Sequence, residues 1–160
     1  MAPSNRFLIL LIIGLLSSQL GLCQQRTLAK FIITYASLNK VDVTESYTNS
    51  GGYIVFYTTD DGGLYMANVM SNRGTQSYGR LYVSGTKELG ETEENYKVDI
   101  FNFRWHYLND YNRSSGTASI RLEKVYKPQG IAFSCTMITE SLDVNVYKGY
   151  MEGSLDFSNY

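Results

Sequence analysis

The side chains with the sharpest spacing in this chain are Phe101-Asn102-Phe103-Arg104-Trp105-His106-Tyr107. Successive residues of a strand point to opposite faces, so Phe101, Phe103, Trp105 and Tyr107 share one face and Asn102, Arg104 and His106 the other. Rings that each bury ~150–250 Å² give, for four of them, a gross ~15–25 kcal/mol at ~25 cal/mol per Å², before entropy is subtracted. A face of that size is not left in water. It packs a core, lines a pocket or meets a partner. We take Phe101, Phe103, Trp105 and Tyr107 as candidate ligand-binding residues, lining a pocket for a small apolar or glycan ligand; core packing is the plainer reading of the same face.

Little else in the chain has the spacing of a catalytic group. His106 is the single histidine, so a catalytic triad or a multi-histidine metal site would have to be built around one ring. Its mixed polar row reads as a solvent face. No nucleophile elbow, phosphate loop or Cys/His cluster of metal spacing occurs. Glu88, Glu91, Glu93 and Glu94 crowd together, but nothing apolar surrounds them to split their pKa values as acid–base work requires. Asp60-Asp61, followed by Gly62-Gly63, reads as a turn and falls short of a calcium loop. The chain therefore reads as a non-enzymatic binding protein with no cofactor and no metal. A small hydrolase or isomerase would need His106 or an acidic pair in a cleft with Arg104 beside it.

Composition names the elements that must carry these residues. Fourteen Tyr, seven Phe and one Trp against two Pro describe a chain of β-formers. Strands are expected over Thr27–Tyr35, Tyr53–Thr58, Leu64–Met70, Ser77–Ser84, Lys97–Leu108, Thr117–Tyr126, Ile131–Thr139 and Leu142–Tyr150, with a weak ninth over Val41–Thr44. Tyr47–Gly52 reads as a loop, and Lys87–Asn95 as a loop or one helical turn. Asp61-Gly62 supplies the positive φ angles of a hairpin turn, and Lys127-Pro128-Gln129-Gly130 is a turn by its residues. Regular strand spacing with little helix predicts an all-β antiparallel barrel or two-sheet sandwich of about eight strands. The barrel is preferred, because the last strand can pair with the first and remove both edges.

The N-terminus sets the expected compartment. Arg6 precedes an apolar run from Phe7 to Leu16, followed by Ser17, Ser18, Gly21 and Cys23, which is the pattern of a secretory signal peptide over residues 1–23. The run is too short for a spanning helix of ~20 residues. A single β domain over residues 24–160 follows, with no linker or repeat dividing it and no transmembrane helix. The expected location is secreted, periplasmic or cell envelope. Lipidation at Cys23 is the lesser alternative, since Leu20 suits such a signal and the bulky Leu22 does not.

Cleavage there leaves Cys135 as the only thiol of the mature chain, read as buried and inert. A disulfide-free exported domain fits a bacterial envelope or secretion route better than a small animal secreted module. The formal net charge of −1 offers no electrostatic case for nucleic acid or an anionic membrane. Expected partners are an unknown small molecule, a glycan or an envelope protein; in the last case the chain is a structural or interaction protein with a filled core. Asn112-Arg113-Ser114 is the only N-glycosylation sequon and falls in a turn. Length, export and strand number are also what lipocalin-like barrels look like. Their Gly-x-Trp belongs to the first strand, and here the only tryptophan is Trp105, far downstream, so no function is carried over.

Overall fold

The computed structural model describes residues 25–85 and 88–155. The expected signal peptide, with Cys23, lies outside the described residues. Among the described residues ten strands and one short helix follow in order: β1 Arg26–Leu38, β2 Val41–Asp42, α1 Thr44–Asn49, β3 Gly52–Thr58, β4 Leu64–Met70, β5 Gly74–Val83, β6 Glu88–Glu91, β7 Lys97–Asn109, β8 Ser115–Lys127, β9 Gly130–Thr139 and β10 Val144–Gly153. Eight of them close an antiparallel barrel in the order β1-β3-β4-β5-β7-β8-β9-β10, with β10 pairing back on β1. The barrel is the form expected from the strand count. β2 and β6 pair outside it, on β1 and β7. No helix among the described residues is long and apolar enough to cross a membrane.

The meander forms from local turn chemistry. Gly62 takes φ 69° in the β3–β4 turn, and its N–H donates to the Thr59 carbonyl at 2.9 Å. Closure needs more than hairpins. β1 pairs with β3 through Arg26–Ile32 and with β10 from Ala29 to Leu38, and its register shifts once in each ladder, between Thr27 and Ala29 and between Ile33 and Tyr35. Such bulges bend a strand and raise its twist, which lets one strand face two neighbours around a tight wall. Gly149 makes the seam possible, because a Cβ there would lie 1.8 Å from the Ile32 carbonyl oxygen. Gly79 does the same between β5 and β7, 1.9 Å from the carbonyl oxygen of His106.

Every barrel strand sends apolar side chains into one continuous core. Phe31, Ile54, Met66, Leu81, Phe103, Ile120, Met137 and Tyr147 all belong to it. A smaller cluster, Val98, Ile100 and Val125 with Tyr96 and Ala132, packs where β7 and β8 run on past β5.

Two segments depart from the sequence expectation. Thr44–Asn49, half of it expected as loop, is a helical turn that buries Tyr47. Its first residue repairs the edge of β1: the Thr44 hydroxyl accepts from the Ala36 N–H at 3.0 Å. The acidic stretch after Lys87 contains strand β6, which occupies the rungs of β7 beyond the end of β5, pairing Glu88 with Ile100 through Glu91 with Lys97. An open ladder is a row of unpaired backbone groups, and pairing overrides the weak β propensity of glutamate. The weak strand expected at Val41–Thr44 shrinks to Val41–Asp42.

Candidate functional site

The four aromatic candidates on β7 do share one face, and it is the inner one. Phe103 and Trp105 are 1 % and 4 % exposed, while Phe101 and Tyr107 are half-buried and pack against the same core. Trp105 spends its polar handle internally: its indole N–H donates to the Gly79 carbonyl at 3.3 Å, and its ring lies 4.8 Å from Tyr107. These residues are core members, placed opposite Leu122, Ile120, Ala118 and Gly116 of β8. The opposite row faces outward, with Arg104 and His106 exposed and Asn102 half-buried.

At one point the interior is polar. Tyr47, carried inward by α1, shares a hydrogen bond between hydroxyls with Tyr147 at 3.1 Å, and the Asn68 amide donates to Tyr47 at 3.4 Å. The carbonyl oxygen of Asn68 is buried without a hydrogen-bond partner among the described residues. Burial holds the Tyr147 phenol well above its ordinary value, with Tyr47 adding to the effect. Cys135 is fully buried, and desolvation pushes its thiol up to about 12. A thiol at that value carries almost no thiolate at neutral pH and is no nucleophile.

A concavity that could hold a ligand opens on the outer wall instead. The positions of β3 and β4 that alternate with the core residues Ile54, Phe56, Leu64 and Met66 are Tyr53, Val55, Tyr57, Tyr65, Ala67 and Val69. All of these but Tyr65, with Tyr78 of β5, line a groove of about 480 Å³, inside the ~300–1,000 Å³ span of small-molecule sites. Its apolar lining is Val55, Ala67 and Val69, and its aromatic lining Tyr53, Tyr57 and Tyr78. The rest of the lining is polar: Gln25, Thr27, Thr75 and Asp110. Asp110 reaches it because its N–H donates to the Gln76 carbonyl at 2.9 Å, holding the β7–β8 turn against β5.

Neighbouring contacts stiffen this lining. Tyr57 and Tyr65 stack with ring centroids 5.6 Å apart, and the Lys30 ammonium lies 4.1 Å from the Tyr53 ring centre. Arg80 lies over both Tyr65 and Tyr82 and bonds the Asp61 carboxylate at 3.2 Å. Asp61 also accepts hydrogen bonds from Thr59, the Gly63 N–H and Tyr65. These donors, Thr59 foremost, hold its carboxyl down at about 2.

The outer groove was missed at the level of sequence, although a signal was present. A barrel strand needs only one apolar face, yet β3 and β4 are apolar on both. The acidic residues do not assemble into a site: Glu88 accepts a hydrogen bond from Asn102 at 3.2 Å. Among the described residues no three of His, Cys, Asp or Glu gather as metal ligands would. Comparisons with protein-family models, curated proteins and solved structures find no match.

Proposed function

We propose that this chain is an exported, non-enzymatic binding protein that takes a neutral glycan in the tyrosine groove on its outer wall. The observation that carries the reading is the groove itself: apolar, aromatic and polar lining together in about 480 Å³. A sugar ring has the matching division, apolar C–H faces and a hydroxyl edge. Tyrosine suits it, having an apolar body and a polar tip. A purely apolar ligand would strip water from Thr27, Thr75 and Asp110 without returning their hydrogen bonds, which costs free energy for each group. An anionic ligand would meet the Asp110 carboxylate, whose partner Arg113, 3.1 Å away, is not part of the lining; among the described residues no lysine or arginine lines the groove.

The packed interior supports the outer wall over the β7 aromatic face as the place of binding. The test is amide chemical-shift mapping with cellobiose, chitobiose, maltose and laurate as probes. A saccharide is expected to shift Val55, Ala67 and Val69, and Tyr78→Ala to weaken it at least tenfold while Tyr111→Ala leaves it unchanged. Shifts centred on Phe103 and Trp105, or binding of laurate alone, would overturn the reading. A second reading, an interaction protein of the cell envelope, draws support from outward aromatics beyond the groove, notably Tyr82 and Tyr150 at 44 % and 47 % exposure. It expects a protein partner and no response to any of the four probes.

A further inference from the structure

Strands β7 and β8 are joined by an exposed turn over residues 110–114, closed where the Asn109 N–H donates to the Ser114 carbonyl at 2.7 Å. Within it the sequon folds on itself. The Asn112 side-chain oxygen accepts from the Ser114 N–H at 3.0 Å and from the Ser114 hydroxyl at 2.6 Å. Arg113 between them adopts φ 57° and turns its guanidinium to Asp110 at 3.1 Å, away from the amide. The Asn112 amide nitrogen makes no hydrogen bond among the described residues, and its neighbour Tyr111 is 93 % exposed.

We propose that Asn112 is a modification site, the acceptor of an N-linked oligosaccharide, an inference that rests on the export reading for its access to a transferase. A carboxamide nitrogen is a poor nucleophile because its lone pair is delocalised onto oxygen. Two donors on that oxygen stabilise the imidate form, in which the nitrogen has given up a proton and regained a lone pair. This is the chemical use of a hydroxyl at Ser114. In the transfer, a bond forms between Nδ2 of Asn112 and the anomeric carbon of a lipid-pyrophosphate-linked oligosaccharide. The anomeric C–O bond breaks, the pyrophosphate leaves with its electron pair, and the Nδ2 proton passes to a base of the transferase.

Nothing in the fold opposes the product, because residues 110–114 are all exposed.

The experiment expresses the full chain in cultured animal cells and in a bacterium supplied with an oligosaccharyltransferase, once with its own leader and once with a heterologous leader replacing residues 1–23. Secretion and glycosylation are scored separately. One glycan on the tryptic peptide containing Asn112 is expected, lost in Asn112→Gln and Ser114→Ala and kept in Ser114→Thr. Glycosylation of the heterologous-leader protein alone would sink the export reading and leave the acceptor assignment standing. Secreted protein without a glycan at Asn112 in both hosts, or a glycan that survives Asn112→Gln, overturns the proposal.

Discussion

Replacing Phe103 by alanine distinguishes a packed barrel interior from a hydrated ligand cavity. Phe103 is 1 % exposed and sits across from Ile120, itself 2 % exposed, within the continuous core. Removing a fully packed phenylalanine ring costs about 3–5 kcal/mol, the transfer term plus the cavity left when the wall only partly relaxes. For a domain of this size that is a fall in Tm of about 10–20 °C. Urea unfolding followed by the fluorescence of Trp105, 4 % exposed in the folded barrel, measures it, and an unchanged m-value would show that only stability moved. A loss below about 1 kcal/mol would refute the reasoning, since a ring lining solvent-filled space loses few contacts when truncated. Phe103→Leu, which retains most of the volume, should recover more than half of the loss.

Three further outcomes follow from the geometry. Gly149→Ala places a methyl group 1.8 Å from the Ile32 carbonyl oxygen and should cost about 3 kcal/mol or more as the seam is forced apart; amide exchange should speed selectively in β1 and β10, while Gly85→Ala, which meets nothing within 4 Å, stays near neutral. Asp61 is held at about 2 against an ordinary 3.8, so its contribution is present above 3.8 and lost as pH falls from there through 2; a Tm series from pH 5 to 2 should show a shallower acid loss in Asp61→Asn. Cys135, pushed up to about 12 from an ordinary 9.0, should resist thiol reagents at pH 8 in the folded protein and react fully in urea. Because the unfolded thiol ionises first, stability should also fall as pH rises above 9, and Cys135→Ser should remove that component.

The strands were legible because their signals are local. Alternation along Phe101–Tyr107 reports a strand with one apolar face whatever lies opposite, and Asp61-Gly62 reports a turn from backbone sterics alone. Closure was legible too, because eight strands with a strand at each end leave two edges that can satisfy one another. The α1 turn was not. Thr44–Asn49 is polar, six residues long and below the length at which a helix holds by propensity; it forms because Tyr47 docks on Tyr147. β6 was likewise hidden, its glutamates taking strand geometry only because β7 offers free rungs past β5.

The site divides along the same line. By its own pattern the chain determined that Phe101, Phe103, Trp105 and Tyr107 lie together on one buried face, since a period of two and the aversion of four rings to water leave no other arrangement. Which side chains that face packs against depends on what the remaining strands bring, and only the closed barrel supplied them. The groove lined by Tyr53, Tyr57 and Tyr78 belongs to the tertiary structure in the same way. Its lining comes from strands that become neighbours by pairing, and is completed by Asp110 from a turn more than thirty residues away in the chain. Such a concavity is set by distances between segments, which no local periodicity encodes.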